Sequence, residues 1–169
     1  MSGAARRRQP ERGRSVPDIT AARFPEDRDA VLAIFTEYVR SPSVSLDYQG
    51  YTREFAELPG AYAAPAGCLL LARVGREVVG CAALRRVDDT TCEMKRVYVR
   101  PQARGQALGR QLVERILAEA RRAGYQRICL DVLPEFTAAR QLYHSLGFVA
   151  AEPVSVNPVP GTAFLGLEL

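Results

Sequence analysis

A short segment of small and basic residues has the composition of an anion-binding site. It reads Arg104-Gly105-Gln106-Ala107-Leu108-Gly109 and lies between a strand-like run and the start of the clearest helix. Successive backbone N–H groups at a helix N-terminus attract phosphate, and the helix dipole adds to that attraction. Arg104 and Arg110 can supply charge-assisted hydrogen bonds. The segment predicts a phosphate site, although a glycine at a helix start is by itself more often a plain tight turn.

A second group of spaced residues follows in a later helix. It has the pattern A-x-x-L-Y-x-x-x-G-F and consists of Ala139, Leu142, Tyr143, Gly147 and Phe148. Together the two segments resemble the GNAT superfamily of acetyl-CoA-dependent N-acetyltransferases, whose phosphate motif is Gln/Arg-x-x-Gly-x-Gly/Ala. The chain carries neither a P-loop Gly-Lys-Ser/Thr nor a Gly-x-Gly-x-x-Gly pattern, so two other phosphate-binding folds are disfavoured. The resemblance covers residues 18–169 and is sharpest over residues 93–148.

The resemblance implies two catalytic residues. An alkyl amine has a pKa of about 10.4 and must lose a proton before it attacks a thioester. Glu93 stands where several family members keep a base glutamate, and Tyr143 resembles the family's general-acid tyrosine, which protonates the leaving thiolate. A structural interpretation stays open for each. Glu93 could pair with Lys95 or Arg86 on an exposed strand face, and Tyr143 could simply pack on the sheet.

The resemblance also implies that acetyl-CoA is the cosubstrate. The strand backbone would pair with the pantetheine arm and offer an N–H group to the thioester carbonyl. The implied cofactor-binding residues are Val97, Tyr98, Val99, Arg104, Gly105, Gln106, Ala107, Leu108, Gly109 and Arg110. Two positions depart from the family pattern. Ala107 replaces the central glycine, where a helical φ would suit alanine, and Phe136 stands where many relatives have an asparagine.

The predicted elements follow the order β-α-α-β-β-β-α-β-α-β-β. Three strand-like runs with short polar turns predict antiparallel hairpins, and a later strand–helix–strand unit predicts a parallel crossover. We therefore expect an α/β (α+β) fold: a mixed, mostly antiparallel sheet with helices on both faces. Residues 108–123 show the clearest helical stripe. The residue types over 93–99 do not alternate, which predicts a bulge or a ligand-facing side.

Charge and cysteine content exclude several functions. The five arginines and one glutamate of residues 1–17 account for the whole net charge of +4, so these residues are interpreted as a disordered basic leader and residues 18–169 as the N-acetyltransferase domain. The charge-neutral remainder argues against specific nucleic-acid binding. Four scattered cysteines and one histidine do not have zinc spacing, so no metal site is expected. No membrane segment is expected, and a cytoplasmic location is predicted.

The sequence thus predicts an N-acetyltransferase that moves an acetyl group from acetyl-CoA to a primary amine of a small molecule or amino acid. The alternative is a non-catalytic acyl-CoA-binding regulatory module on the same fold. A nucleic-acid-associated protein that uses the basic leader is a weaker candidate. A homodimer is possible because residues 163–169 could form an edge strand that pairs across two copies.

Overall fold

Residues 15–169 form a seven-stranded mixed sheet covered by helices on both faces, as the computed structural model of the protein describes for this range. The basic leader predicted for residues 1–17 lies, up to Arg14, outside the described residues. The strands are β1 (Asp18–Ala21), β2 (Cys68–Val74), β3 (Glu77–Arg86), β4 (Thr91–Val99), β5 (Arg127–Val132), β6 (Val149–Ala150) and β7 (Ala163–Glu168). The helices are α1 (Arg28–Arg40), α2 (Tyr51–Ala56), α3 (Leu108–Arg122) and α4 (Thr137–Ser145).

The element order and the fold class predicted from the sequence are confirmed. The strand order is β1-β2-β3-β4-β5-β7-β6. Among the described strands, β4 and β5 pair in parallel and every other neighbouring pair is antiparallel. β2 and β3 are nearly continuous apolar runs because both of their faces are buried under helices. Helices α1 and α2 pack on one face, and α3 and α4 pack on the other.

The edge position expected for residues 163–169 is wrong. β7 lies between β5 and β6, pairing with β5 from Arg127↔Glu168 to Val132↔Ala163 and with β6 at Val149 and Ala150. After α4 the chain first forms β6 at the edge of the sheet, and β7 then fills the position between β6 and β5. The homodimer prediction therefore loses the edge strand on which it was based.

Helix α3 shows how local sequence sets an element's length. Its buried stripe includes Leu112, Ile116 and Ala120. Two residues after the end of the helix, Gly124 adopts a left-handed φ of +88. The N–H of Tyr125 then donates to the carbonyl of Ala120 at 3.1 Å, and the two side chains share the same core. This is the Schellman arrangement that a glycine after the last turn favours.

A β-bulge at Arg96 changes the phase of β4. Arg96 has φ +60, and the β3 pairing passes from Cys81↔Tyr98 to Ala83↔Lys95, which leaves one extra residue on β4. Ala83 and Cys81 belong to the core under α1, so their partners Lys95 and Tyr98 face that side as well. Val97 instead packs against the core under α3. The break in alternation thus corresponds to a bulge, one of the two alternatives that the sequence left open.

The Arg96 side chain ties this bulge to the α1/α2 layer. Its guanidinium is 1% exposed and contacts Glu54 Oε2 through Nε and Nη2, both at 2.9 Å. Nη1 donates to Gln49 Oε1 at 2.5 Å, and the Tyr62 hydroxyl bonds to the same Glu54. The guanidinium also lies 5.3 Å from the ring centre of Tyr38. One buried cation therefore joins β4, α1 and α2.

We expect Glu54→Ala to lower the free energy of unfolding by about 3–5 kcal/mol, because it leaves a buried guanidinium without its carboxylate. Chemical denaturation measures the change. Glu57→Ala is the matched control, since its ion pair with Arg53 is 56% and 84% exposed and should contribute less than about 1 kcal/mol. Equal losses in the two variants would show that the buried network does not anchor the bulge.

Candidate active site

The site is a cleft at the point where β4 and β5 separate. These strands pair only over Thr91–Glu93 and Arg127–Cys129. Beyond this point the strands diverge, and a cleft of about 380 Å³ opens between them. Main-chain groups of β4 after Glu93 are therefore left without a strand partner on the β5 side, and they are available to an extended ligand.

The cleft has two chemically different sides. On the α3/α4 side lie Met94, Val97, Leu130, Val132, Phe136, Ala139 and Tyr143, which are mostly apolar. On the α1/α2 side lie Lys95, Asp131, Tyr38, Gln49 and Asn157, which are mostly polar. Strands β4 and β5 contribute to both sets because side chains alternate across a sheet, and helices and loops supply the remaining residues. An acyl group suits the first side, and a polar molecule suits the second.

Tyr143 lies on the wall of the cleft where a general acid could reach a ligand. The residue is 6% exposed, and its ring packs at 5.7 Å from that of Phe148. Burial raises the pKa of the Tyr143 hydroxyl, and Tyr38 and Asp131 raise it further. The phenol is therefore protonated over the whole neutral range. Nothing among residues 15–169 hydrogen-bonds to this hydroxyl, which leaves it available to a bound molecule.

The segment Arg104–Gly109 forms the exposed loop that leads into α3. Gly105 has φ +82, and a Cβ at this position would meet nothing within 4 Å, so there is open space for a ligand beside it. Arg104 Nε donates to the Val99 carbonyl at 2.9 Å, and its guanidinium lies 5.8 Å from the Tyr98 ring centre. Arg110 reaches Ser145 on α4 at 3.4 Å. The loop thus presents main-chain N–H groups and an exposed cation, as a phosphate site requires.

The helical φ expected for Ala107 is wrong. Ala107 is the residue before the first turn of α3, and it adopts φ +57 and ψ +19, in the left-handed region. A β-carbon in this region costs roughly 1–2 kcal/mol. The position requires a conformation that glycine adopts freely, so the alanine is accommodated at the expense of backbone strain.

The three residues of β4 that the sequence predicted to bind the cofactor lie at the cleft and its mouth. Val97 lines the cleft directly. Tyr98 faces the α1/α2 side and makes an edge-on contact with Tyr38, with ring centres 6.4 Å apart. Val99 lies against the α3 side, near Gly109. The three residues therefore follow the strand toward the Arg104 loop, in the direction a long ligand would take.

Glu93 is buried away from the cleft wall. Its carboxylate is 1% exposed and accepts hydrogen bonds from Arg85 Nε at 2.9 Å and from the Ser155 hydroxyl at 2.8 Å. Neither Lys95 nor Arg86 is its ion-pair partner, since Arg86 pairs with Asp89 and β3 places Arg85 directly opposite Glu93. The Glu93 carboxylate is therefore occupied by Arg85 and by Ser155, a residue of the loop between β6 and β7, and its catalytic role stays a prediction.

Two further ionisable residues line the cleft. Asp131 accepts a hydrogen bond from Asn157 Nδ2 at 2.6 Å. Lys95 is 8% exposed, and desolvation lowers its pKa, while Glu93 and Asp131 act in the opposite direction. Asp131 is a charged residue within the otherwise apolar run 128–132, which is a sequence signal for it, whereas Lys95 lies between Glu93 and Arg96 in a strand with several charges. Burial raises the pKa of nearby Tyr38 to about 12.

Phe136 fills the position where asparagine was expected. It precedes the first residue of α4 without a side-chain cap to that helix, and it packs against the α3-side core while lining the cleft. The aromatic ring makes apolar contacts where an asparagine could have made hydrogen bonds.

No helix among the described residues has the length and apolar character needed to cross a bilayer.

Comparisons with known sequences and structures all lead to acetyltransferases. The sequence model of the Acetyltransferase (GNAT) family matches residues 31–148. An uncharacterized N-acetyltransferase of Schizosaccharomyces pombe is 35% identical over 153 residues, 89% of this chain and 94% of that protein. An acetyltransferase structure from Streptococcus agalactiae superposes with a TM-score of 0.75 at 24% identity, covering 90% of this chain and 98% of that one. The Salmonella typhimurium protein yncA, solved with its cofactor acetyl-CoA, superposes with a TM-score of 0.65 at 27% identity, covering 90% and 93%.

We expect Ala107→Gly to stabilise the protein by about 1 kcal/mol or slightly less, because glycine removes the left-handed strain at some cost in unfolded-state entropy. Thermal and denaturant unfolding measure the change. Ala118→Gly, at an exposed interior position of the same helix, is the control and should destabilise by about 1 kcal/mol. If both substitutions destabilise, position 107 is not strained.

Proposed function

The chain belongs to the acetyltransferase (GNAT) family, and from this we propose that it transfers an acetyl group from acetyl-CoA to a primary amine of a small molecule or amino acid. The observation that carries the proposal is the cleft between β4 and β5, which joins the Tyr143 hydroxyl to the exposed Arg104–Gly109 loop. The remaining features of the cleft support a division of roles between its two sides.

The residues at the cleft suit acetyl-CoA. The backbone N–H groups of the Arg104–Gly109 loop, with the Arg104 and Arg110 side chains, would hold the pyrophosphate. The unpartnered edge of β4 around Val97–Val99 would pair with the pantetheine arm. The space beside Gly105 leaves the main chain accessible. When bound, acetyl-CoA supplies the acetyl group as a reactive thioester.

Transfer requires two proton movements that the protein's side chains can make. The amine nitrogen forms the new bond to the acetyl carbon while the carbon–sulfur bond breaks. Tyr143 would give its proton to the leaving sulfur, and its raised pKa keeps that proton in place beforehand. A main-chain N–H group of β4 would stabilise the negative charge on the carbonyl oxygen. A covalent acyl-enzyme is unnecessary, because the amine can attack directly.

The amine proton has two candidate acceptors. Asp131 is a carboxylate on the cleft wall, so it can take the proton directly. Glu93 is enclosed by Arg85 and Ser155, so it could act only through an intervening hydroxyl or water. Contact with the cleft favours Asp131, and Glu93 remains the candidate for a relay.

We expect calorimetry to detect binding of CoA and acetyl-CoA, and Arg104→Glu to weaken that binding by about 10-fold or more, because one charge-assisted contact becomes a repulsion. Arg121→Glu, an exposed charge reversal at the other end of α3, is the control and should leave affinity unchanged. Absence of binding to the unaltered protein would contradict the proposal. Binding without thiol release from any amine would favour the non-catalytic module.

We expect Asp131→Asn to lower kcat by about 100-fold or more, because it removes the carboxylate that receives the amine proton. Glu93→Gln should lower kcat by less than about 10-fold while reducing stability, since it weakens a buried pair with Arg85. Thiol release and denaturant unfolding measure the two effects. A larger kcat loss in Glu93→Gln would assign the base to Glu93.

A further inference from the structure

Lys95 is an unusual residue in this chain. It is the single lysine among the 23 Lys and Arg residues. Its side chain is more than nine-tenths buried, yet it forms no ion pair or hydrogen bond with any of residues 15–169. Its Nζ is accessible from the cleft that Lys95 lines. Among residues 15–169, the side-chain polar atom that is fully enclosed and lacks a hydrogen-bond partner is Arg140 Nε, not Lys95 Nζ. Burying an ammonium without a hydrogen-bonded partner is costly, and the charges of Glu93 and Asp131 offset that cost without a direct contact to Nζ.

The other charged residues that line the cleft either have a partner or lie away from the side proposed for the acceptor. Arg96 is paired with Glu54. Glu135 is exposed at the rim, where its carboxylate accepts hydrogen bonds from Ser43. Arg104 lies on the exposed loop at the mouth. Within the described cleft, one unpaired cation and one carboxylate held only by a neutral amide remain, namely Lys95 and Asp131.

We propose that the acceptor is an amino acid, and that Lys95 binds its carboxylate while its amine lies toward Asp131. This inference rests on the proposed acetyl transfer and narrows the acceptor from primary amines in general to amines that carry a carboxylate a few atoms away.

The arrangement of the strands matches such a molecule. Lys95 and Asp131 come from β4 and β5, on the same α1/α2 side of the diverging pair, and they do not pair with each other. The cleft therefore separates a positive and a negative group, which complements the two charges of a zwitterion. A substrate carboxylate would give the buried ammonium its missing partner.

The first experiment compares matched acceptors with the unaltered full-length protein. The panel consists of the proteinogenic L-amino acids, each beside its carboxamide, with thiol release from acetyl-CoA as the readout. The carboxamide keeps the amine and the side chain and removes the negative charge. We expect the best amino acid to exceed its carboxamide in kcat/KM by about 10- to 100-fold.

Lys95→Met tests the assigned residue. Methionine keeps the length and the apolar stem, so the cleft stays filled. We expect the preference for the amino acid over its carboxamide to fall to about 3-fold or less, mainly through a higher KM for the amino acid. Arg76→Met removes an exposed positive charge from the β2–β3 turn and should leave the preference unchanged.

A binding measurement gives a readout that does not depend on turnover. Because the chain has one lysine, carbon-13 labelling of lysine Cε gives one side-chain resonance. In protein saturated with CoA, we expect this resonance to move on addition of the preferred amino acid and to move little with its carboxamide.

The outcomes separate the two proposals. Equal use of acids and carboxamides, or an unmoved Lys95 resonance with an amino acid that is acetylated, would overturn the carboxylate site while acetyl transfer stands. Acetylation of carboxamides or simple amines alone would also overturn it. A Lys95 resonance that responds to amino acids without acetyl transfer to any of them would support the carboxylate site and overturn the proposed function. Neither response, with CoA bound, would overturn the carboxylate site.

Discussion

Strand β4 has one more residue than β3 between Lys95 and Tyr98, and this bulge decides which side of the sheet the neighbouring side chains face. With regular alternation, Lys95 and Val97 would share a face. The bulge at Arg96 instead sends Lys95, Arg96 and Tyr98 toward α1 and α2, and Val97 toward α3. A bulge also increases local twist and bends its strand, which accords with the loss of β5 pairing two residues earlier. The buried contact between Arg96 and Glu54 holds that geometry against the helical layer.

The sheet therefore separates two chemically different sides of the cleft, which connect where β4 and β5 diverge. The α3/α4 side offers main-chain groups, an exposed basic loop and apolar walls, whereas the α1/α2 side offers ionisable and amide side chains. Under the proposed function, the cosubstrate and the acceptor would approach from opposite faces of the sheet and meet where β4 and β5 diverge. The loop between β6 and β7 closes the polar side, because Ser155 bonds to Glu93 and Asn157 bonds to Asp131.

The sequence was sufficient for features that depend on local pattern. The stripe of α3, its glycine end, the bulge in β4 and the element order all follow from periodicity and turn chemistry. It was insufficient where distant segments decide the outcome. The place of β7 depends on how the chain returns after α4, and the partner of Glu93 depends on the register with β3. The left-handed φ of Ala107 is set by the turn between Arg104 and α3, which an alanine does not reveal.

The same limit applies to the candidate site. Tyr143 and the Arg104–Gly109 loop belong to recognisable motifs, and the structure places Tyr143 in the cleft and the loop at its mouth. Lys95 and Asp131 belong to no such motif, and their common location appears only when β4 and β5 lie side by side. The contribution of β4 after Glu93 is made by its unpartnered main chain, which is present whatever side chains the strand carries. Under the proposed function, cofactor recognition by the main chain would tolerate wide sequence divergence, whereas acceptor recognition would depend on a few side chains, so one scaffold could acquire new acceptors through very few substitutions.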